Sequence, residues 1–325
     1  MDRNLALEFV RVTEAAAIAA AGWIGKGDKN GADGAAVDAM RDHFNRIDFN
    51  GTVVIGEGQK DEAPELYTGE KLGKRNGHPN EPVVELAVDP LECTDSVAHG
   101  RYNALSVIVA GPKGSLLSAP DTYMEKIAAG PEAANVIDLD APTSANIKKA
   151  AKALGKQVSE MTVVILDRER HKKLIEEVRI AGARVRLITD GDVAGAIAPS
   201  MTKSGIDLLM GIGASTEAVL AAGGIKTLGG EILARFKPKD EAHLAMLKKH
   251  GLDTKKIYSA EDLAKGDELM FTATGIIDGP LLSGVRFIDD GAITHSIVMR
   301  GKTGTIRYIT THHKRDKKGK FYSND

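Results

Sequence analysis

Three apolar runs in this chain end in turns that carry an acid. Thr52-Val53-Val54-Ile55 runs into Gly56-Glu57-Gly58, Val83-Val84-Glu85-Leu86-Ala87-Val88 into Asp89-Pro90-Leu91-Glu92, and the run at 206–215 into Thr216-Glu217 at a helix start. Permissive glycines at strand ends let backbone approach a ligand closely, and ligands gather at the carboxyl ends of strands in α/β sheets. Carboxylates that converge on one cleft repel each other and raise their pKa values unless a cation neutralises them. Hard divalent ions with oxygen donors, Mg²⁺ or Mn²⁺, do this. Spacing alone leaves the plainer reading open, in which strand-end acids cap helices or solvate turns.

The elements that must position these acids follow from periodicity. Leu5, Phe9, Val12, Ala16, Ala19 and Ala20 recur at helical spacing, and a Gly-rich run ends that helix near Gly22. A second helix is expected from about Ala32 to Arg46. Short apolar runs at 52–58, 82–90 and 103–111, each bounded by turn residues, predict strands. From about residue 145 helical and strand patterns alternate, with strands expected at 161–167, 184–192 and 206–213. The order predicts an α/β fold, one domain over 1–325 with two lobes, roughly 1–145 and 146–325. The polar tail from His312 reads as a frayed, solvated end, with His312 and His313 exposed.

Composition narrows the function. With 325 residues and 42% hydrophobic content the chain buries a core and is not disordered. Against 45 acidic residues stand 43 basic ones, a formal net charge of -2, with no sustained basic stripe before the tail, so nucleic acid is not an expected partner. Cys93 is the single cysteine, which precludes an intrachain disulfide and suggests the cytoplasm. Glu8, Arg11 and Glu14 interrupt the first apolar stretch, unlike a signal peptide, and no uncharged run is long enough to cross a membrane.

Asp89-Pro90-Leu91-Glu92-Cys93-Thr94 resembles the Asp-Pro-(Ile/Leu)-(Asp/Glu)-Gly-Thr motif of the lithium-sensitive phosphatases. The stretches GKGDKNGADGAAVDAMR, VVIGEGQKDEAPELYTGEKLG, SAPDTYMEKIAAGPEAA, LITDGDVAGAI, ATGIIDGPLLSGV and MRGKTGTIR together resemble the class II fructose-1,6-bisphosphatases, in order and over nearly the whole chain. The resemblance implies a layered αβαβα sandwich of the sugar phosphatase and inositol monophosphatase type, a sugar bisphosphate substrate and a homodimer or homotetramer. It implies metal ligands at Asp33, Glu57, Asp89, Glu92 and Glu217. Thr94 would supply the catalytic hydroxyl, with Asp61 accepting its proton and Lys29 beside the phosphate. Substrate contacts would come from Glu92, Cys93, Thr94, Tyr123, Arg168-Glu169-Arg170, Asp190-Gly191-Asp192 and Ala214. Arg170 suits phosphate, and Asp190 and Asp192 suit sugar hydroxyls.

Each residue also has a plainer reading. Glu57 fits a turn acid, Asp33 a helix N-cap ahead of Ala35, Lys29 and Asp61 surface charges, and Tyr123 a loop anchor. Gly211-Ile212-Gly213-Ala214-Ser215-Thr216 follows a strand like a dinucleotide fingerprint, but the third glycine is missing and Glu217 would oppose a pyrophosphate. Another small sugar or inositol phosphate phosphatase is an alternative. So is a relative without turnover, since Cys93 replaces the family's glycine and Ala214-Ser215 departs from the usual pair. If φ at 93 is negative, the thiol is unstrained and oxidisable; if positive, Cys93 carries backbone strain.

Overall fold

The structure is a computed structural model and describes residues 2–56, 66–78, 82–316 and 321. Along the chain, α1 (Leu5–Ala21) and α2 (Lys29–Phe44) precede β1 (Asn50–Ile55), β2 (Lys71–Leu72), β3 (Val83–Glu92), α3 (Thr94–His99) and β4 (Ala104–Pro112). Next come β5 (Tyr123–Ala129), α4 (Thr143–Ala153), β6 (Thr162–Leu166), α5 (Lys172–Ile180), β7 (Arg184–Ile188) and α6 (Val193–Ile197). Then follow β8 (Leu208–Ala214), α7 (Ser215–Thr227), β9 (Glu231–Phe236), α8 (Glu241–Lys249) and α9 (Ala260–Leu263). The last strands are β10 (Met270–Ile277), β11 (Arg286–Ile288), β12 (Gly291–Arg300) and β13 (Thr305–Lys314).

The chain forms two compact units, one of residues up to Ser115 and from Glu268 onward, the other Leu116–Asp267. They are not the sequential lobes expected with a boundary near 145. The chain returns to the first unit because β10 pairs antiparallel with β4, Thr272 opposite Ile108, and β12 pairs with β10. Such a pairing joins strands distant in sequence, and no local pattern encodes it.

In the first unit eight strands form one sheet, ordered β11-β12-β10-β4-β3-β1-β2 with β13 on β12. Phe9, Val12, Ala16 and Ala20 of α1 are buried as the spacing predicts. Phe9 meets Phe44 and Phe49 edge-on, with ring centroids 5.8 and 5.6 Å apart. The expected frayed tail is instead, as far as Lys314, the strand β13, paired along β12 from Thr305 opposite Arg300 to Lys314 opposite Gly291. Ile309 packs on the core, but beyond it the inward residues Thr311 and His313 are polar, which hid the end of the strand from a hydrophobic reading. Thr311 Oγ1 donates to the buried Glu14 Oε1 at 2.6 Å, and His313 Nε2 lies 2.9 Å from Thr294 Oγ1. His312 is exposed as expected, whereas His313 is half-buried.

The second unit holds a five-stranded sheet, ordered β7-β6-β8-β5-β9. β6 runs parallel to β7 and β8, and β5 antiparallel to β8 and β9. Ile147 and Ala150 of α4 and Ile175 and Val178 of α5 bury their apolar stripe in one core with Val163, Ile165 and Leu208. Both units are mixed α/β, as the sequence predicts.

Candidate active site

In the first unit Asp89, Glu92, Cys93 and Thr94 lie along the turn from β3 into α3. A β-bulge between Asp89 and Glu92, where pairing with β4 slips, re-aims the side chains of Asp-Pro-Leu-Glu. Asp89 Oδ1 accepts the Leu91 N–H at 3.1 Å, which fixes the turn, and Glu92 is buried at 1% exposure. Cys93 follows with φ +76° and ψ 52°, in the left-handed region. That conformation reverses the chain, so that Thr94 opens α3 and the Ser96 and Val97 N–H groups close on the Cys93 carbonyl. The buried Cys93 Sγ donates to Glu92 Oε2 at 2.9 Å and accepts from Asn103 Nδ2 at 3.4 Å.

The Gly-rich loop between α1 and α2 is seated on α3. Gly25 N–H donates to Val97 O at 2.9 Å and Gly27 N–H to Ala98 O at 2.8 Å, and both glycines take φ +74°. The loop delivers the start of α2 to the Thr94 turn, where Lys29 forms an ion pair with Asp95. The Lys29 hydrogen bond holds the Asp95 carboxyl below the usual range. Lys29 is therefore engaged by an acid next to Thr94, a competing partner for the expected phosphate. The N-cap of α2 is Asp28, whose Oδ1 accepts the Gly31 N–H at 2.9 Å. Asp33 thus lies inside the helix, with its Oδ1 buried, and the N-cap reading of Asp33 is corrected. Glu57 and Asp61 lie outside the described residues.

In the second unit, Arg170 lies over the Tyr123 ring, 5.3 Å from its centroid, and donates from Nε and Nη2 to the Ile212 carbonyl at 3.2 and 2.7 Å. The ring contact and the Ile212 carbonyl fix where the guanidinium sits, and an arginine fork suits bidentate phosphate recognition. Arg168 reaches Asp190 at 3.5 Å, while Glu169, 83% exposed, pairs with Lys172 at the start of α5. Gly191 takes φ +55° between Asp190 and Asp192. Asp192 is buried, and both its oxygens accept from Lys126 Nζ at 2.8 Å. Both Asp192 oxygens are thus engaged in an internal ion pair, a contact that its reading as a sugar-hydroxyl acceptor did not anticipate. Glu217 stands in the first turn of α7 and accepts the Ala214 N–H at 3.0 Å. That bond engages the helix-start donor a dinucleotide fingerprint would offer its pyrophosphate.

Sequence reasoning assigned no site role to Lys126, Asn103 or His171. The signal for Lys126 was a lysine inside the apolar strand YMEKIAA, where a charge needs a partner. His171 Nδ1 meets the Leu166 carbonyl at 2.8 Å, and Nε2 accepts the Ile212 N–H at 2.8 Å, which makes the ring neutral with its proton on Nδ1. Burial pushes its pKa below the ordinary 6.5. A histidine held neutral in the fold contributes stability that is complete above the unfolded value and lost as pH falls below it. Melting temperature is therefore expected to fall below pH 6.5, and less steeply in His171→Gln; equal slopes in calorimetry would exclude this origin. His313, also lowered by burial, adds to the wild-type slope but not to the difference.

Cys93 gives a second expectation. A non-glycine residue in the left-handed region costs roughly 1–2 kcal/mol, and a glycine loses about 0.5–1 kcal/mol more backbone entropy on folding. Cys93→Ala and Cys93→Gly both lose the thiol's packing and its bonds to Glu92 and Asn103, but only glycine relieves the strain. Cys93→Gly is therefore expected to be ~0.5–1 kcal/mol more stable than Cys93→Ala. Denaturant midpoints of the two variants check this, and equal midpoints refute it.

A bulged acidic turn leading into a helix-start threonine, on a mixed α/β frame, is the equipment of a phosphoric monoester hydrolase. The chain belongs to the family described as "Bacterial fructose-1,6-bisphosphatase, glpX-encoded", which matches residues 3–313. It is 46% identical, over 98% of this chain and 97% of the relative, to the "Fructose-1,6-bisphosphatase 1 class 2" of Escherichia coli (strain K12). It is 43% identical, over 97% of both chains, to the "D-fructose 1,6-bisphosphatase class 2/sedoheptulose 1,7-bisphosphatase" of Synechococcus sp. (strain JA-3-3Ab). A solved inositol monophosphatase from Anabaena (Nostoc) sp. PCC 7120 matches with 12% identity and a TM-score of 0.33, covering 78% of this chain and 97% of that one, too slight a likeness to build on. Among the described residues no helix is long and apolar enough to cross a membrane.

Proposed function

We propose that this enzyme hydrolyses the 1-phosphate of fructose 1,6-bisphosphate to give fructose 6-phosphate and inorganic phosphate, and that sedoheptulose 1,7-bisphosphate is a second substrate. The observation that carries this reading is the family match over residues 3–313, which spans the Asp-Pro-Leu-Glu-Cys-Thr turn. The working form is taken to be a cytoplasmic homodimer or homotetramer.

The proposed metal ligands, Asp33, Glu57, Asp89, Glu92 and Glu217, are all carboxylates, a donor set that suits Mg²⁺ or Mn²⁺ and not a soft ion. Among the described residues, which exclude Glu57, no three His, Cys, Asp or Glu side chains gather closely enough to hold an ion. When bound, such ions neutralise charge on the phosphoryl group and the departing sugar oxygen. The chain's own residues do the rest. Asp61 takes the Thr94 proton while Thr94 takes one from the water whose oxygen bonds to phosphorus, and the sugar oxygen, as its bond to phosphorus breaks, takes a proton from solvent. Arg170, which lies over the Tyr123 ring, binds phosphate, and Asp190 binds sugar hydroxyls.

Phosphate release from fructose 1,6-bisphosphate, sedoheptulose 1,7-bisphosphate and inositol phosphate, each with Mg²⁺, Mn²⁺ or no metal, tests the reading. Turnover of inositol phosphate in preference to both bisphosphates would overturn it.

A further inference from the structure

Lys126 sits mid-strand in β5 with its side chain at 0% exposure. Its ammonium lies 2.8 Å from both oxygens of Asp192, itself 3% exposed, and 3.6 Å from Glu217 Oε2. One positive charge thus serves two carboxylates from two different elements, the loop into α6 and the first turn of α7. The packing leaves little room for a different geometry. A Cβ on Gly213 would stand 2.1 Å from Asp192 Oδ2 and 2.9 Å from Lys126 Nζ, so only glycine admits the pair against β8. Taking an ammonium and a carboxylate out of water is costly, and replacing such a pair by apolar groups is often neutral or stabilising. Stability alone is therefore a weak reason for this arrangement.

We infer that Lys126 is a positioning residue that holds the sugar-binding segment Asp190–Asp192 and the metal ligand Glu217 in one fixed geometry. The inference rests on the phosphatase reading for the roles of those two segments. Through Asp192 the ammonium anchors the loop that presents Asp190. Through Glu217 it opposes rotation of the carboxylate, whose Oε2 is also tied to the Ala214 N–H. The chemistry supplied by Lys126 is orientation, and it acts on substrate and metal only through its two partners.

The test uses a charge-conserving pair of substitutions. Lys126→Met alone leaves Asp192 buried without a counter-charge, and its melting temperature is expected to fall by about 10 °C. Lys126→Met with Asp192→Asn removes one charge of each sign, leaves the cluster's net charge unchanged, and is expected to regain most of that loss. A purely structural pair predicts that metal affinity returns together with stability. A positioning role predicts that the double variant, folded and at unchanged local charge, still binds Mn²⁺ at least about tenfold more weakly by calorimetry on metal-free protein, with a raised KM for fructose 1,6-bisphosphate. Wild-type Mn²⁺ affinity in the double variant overturns the inference, whatever its melting temperature. If the double variant does not fold, Gly213→Ala decides, since it displaces Asp192 with every charge retained: weakened Mn²⁺ binding below its melting point supports the role, and unchanged binding refutes it. Failure of the parent to cleave either bisphosphate would instead sink the phosphatase reading, while the Mn²⁺ titrations remain decisive for Lys126.

Discussion

Asp89→Ala is expected to lower turnover on the order of a thousandfold or more, and exhaustive chelation of the unmodified enzyme to abolish it, because the carboxylate turn serves hydrolysis only with a divalent ion beside it. The fold is expected to survive. Asp89 is half-buried, and its loss frees the Leu91 N–H, a hydrogen bond worth about 1 kcal/mol, while relief of repulsion among neighbouring carboxylates offsets part of that cost. Circular dichroism and melting of the variant, set beside its phosphate release at saturating Mn²⁺, separate the two effects. Near-normal rates in Asp89→Ala, or full turnover after chelation, would remove the metal assignment.

Thr94→Ala is expected to reduce kcat by roughly 10²–10⁴-fold with KM nearly unchanged, since a hydroxyl that orients the attacking water acts in the transition state and adds little to ground-state binding. The backbone change is small, because the first turn of α3 is closed by N–H groups of Ser96 and Val97 on the Cys93 carbonyl and not by the Thr94 side chain. Calorimetry of fructose 1,6-bisphosphate binding to the metal-loaded variant distinguishes this role from its rival. Loss of binding together with turnover would make Thr94 a phosphate clamp. The nearby Lys29–Asp95 pair sharpens the choice. A lysine already paired with an acid contributes less to phosphate binding, and both groups are well exposed, so the pair itself adds little stability.

Much of the frame was legible in the sequence, since each early strand and helix is specified by its own local pattern. Leu5, Phe9, Val12, Ala16 and Ala20 mark one helical face, and the apolar runs around Val53, Leu86 and Ile108 became β1, β3 and β4. The Asp89–Thr94 motif announced a chemistry through its resemblance to the lithium-sensitive phosphatases, since its spacing alone left the plainer reading open. Tertiary structure decided what depends on distant partners. The return of β10–β13 to the first sheet is a matter of pairing across the whole second unit, which periodicity does not record. The end of β13, from His312 to Lys314, reads as a solvated tail because its inward His313 meets the buried Thr294 in place of an apolar core. The sign of φ at Cys93, the burial of Asp192 against Lys126 and the dependence of that pair on Gly213 were likewise open in the sequence. A side chain's charge and size are written in the chain, but its neighbours, and hence its solvation and strain, exist only once the fold has closed around it.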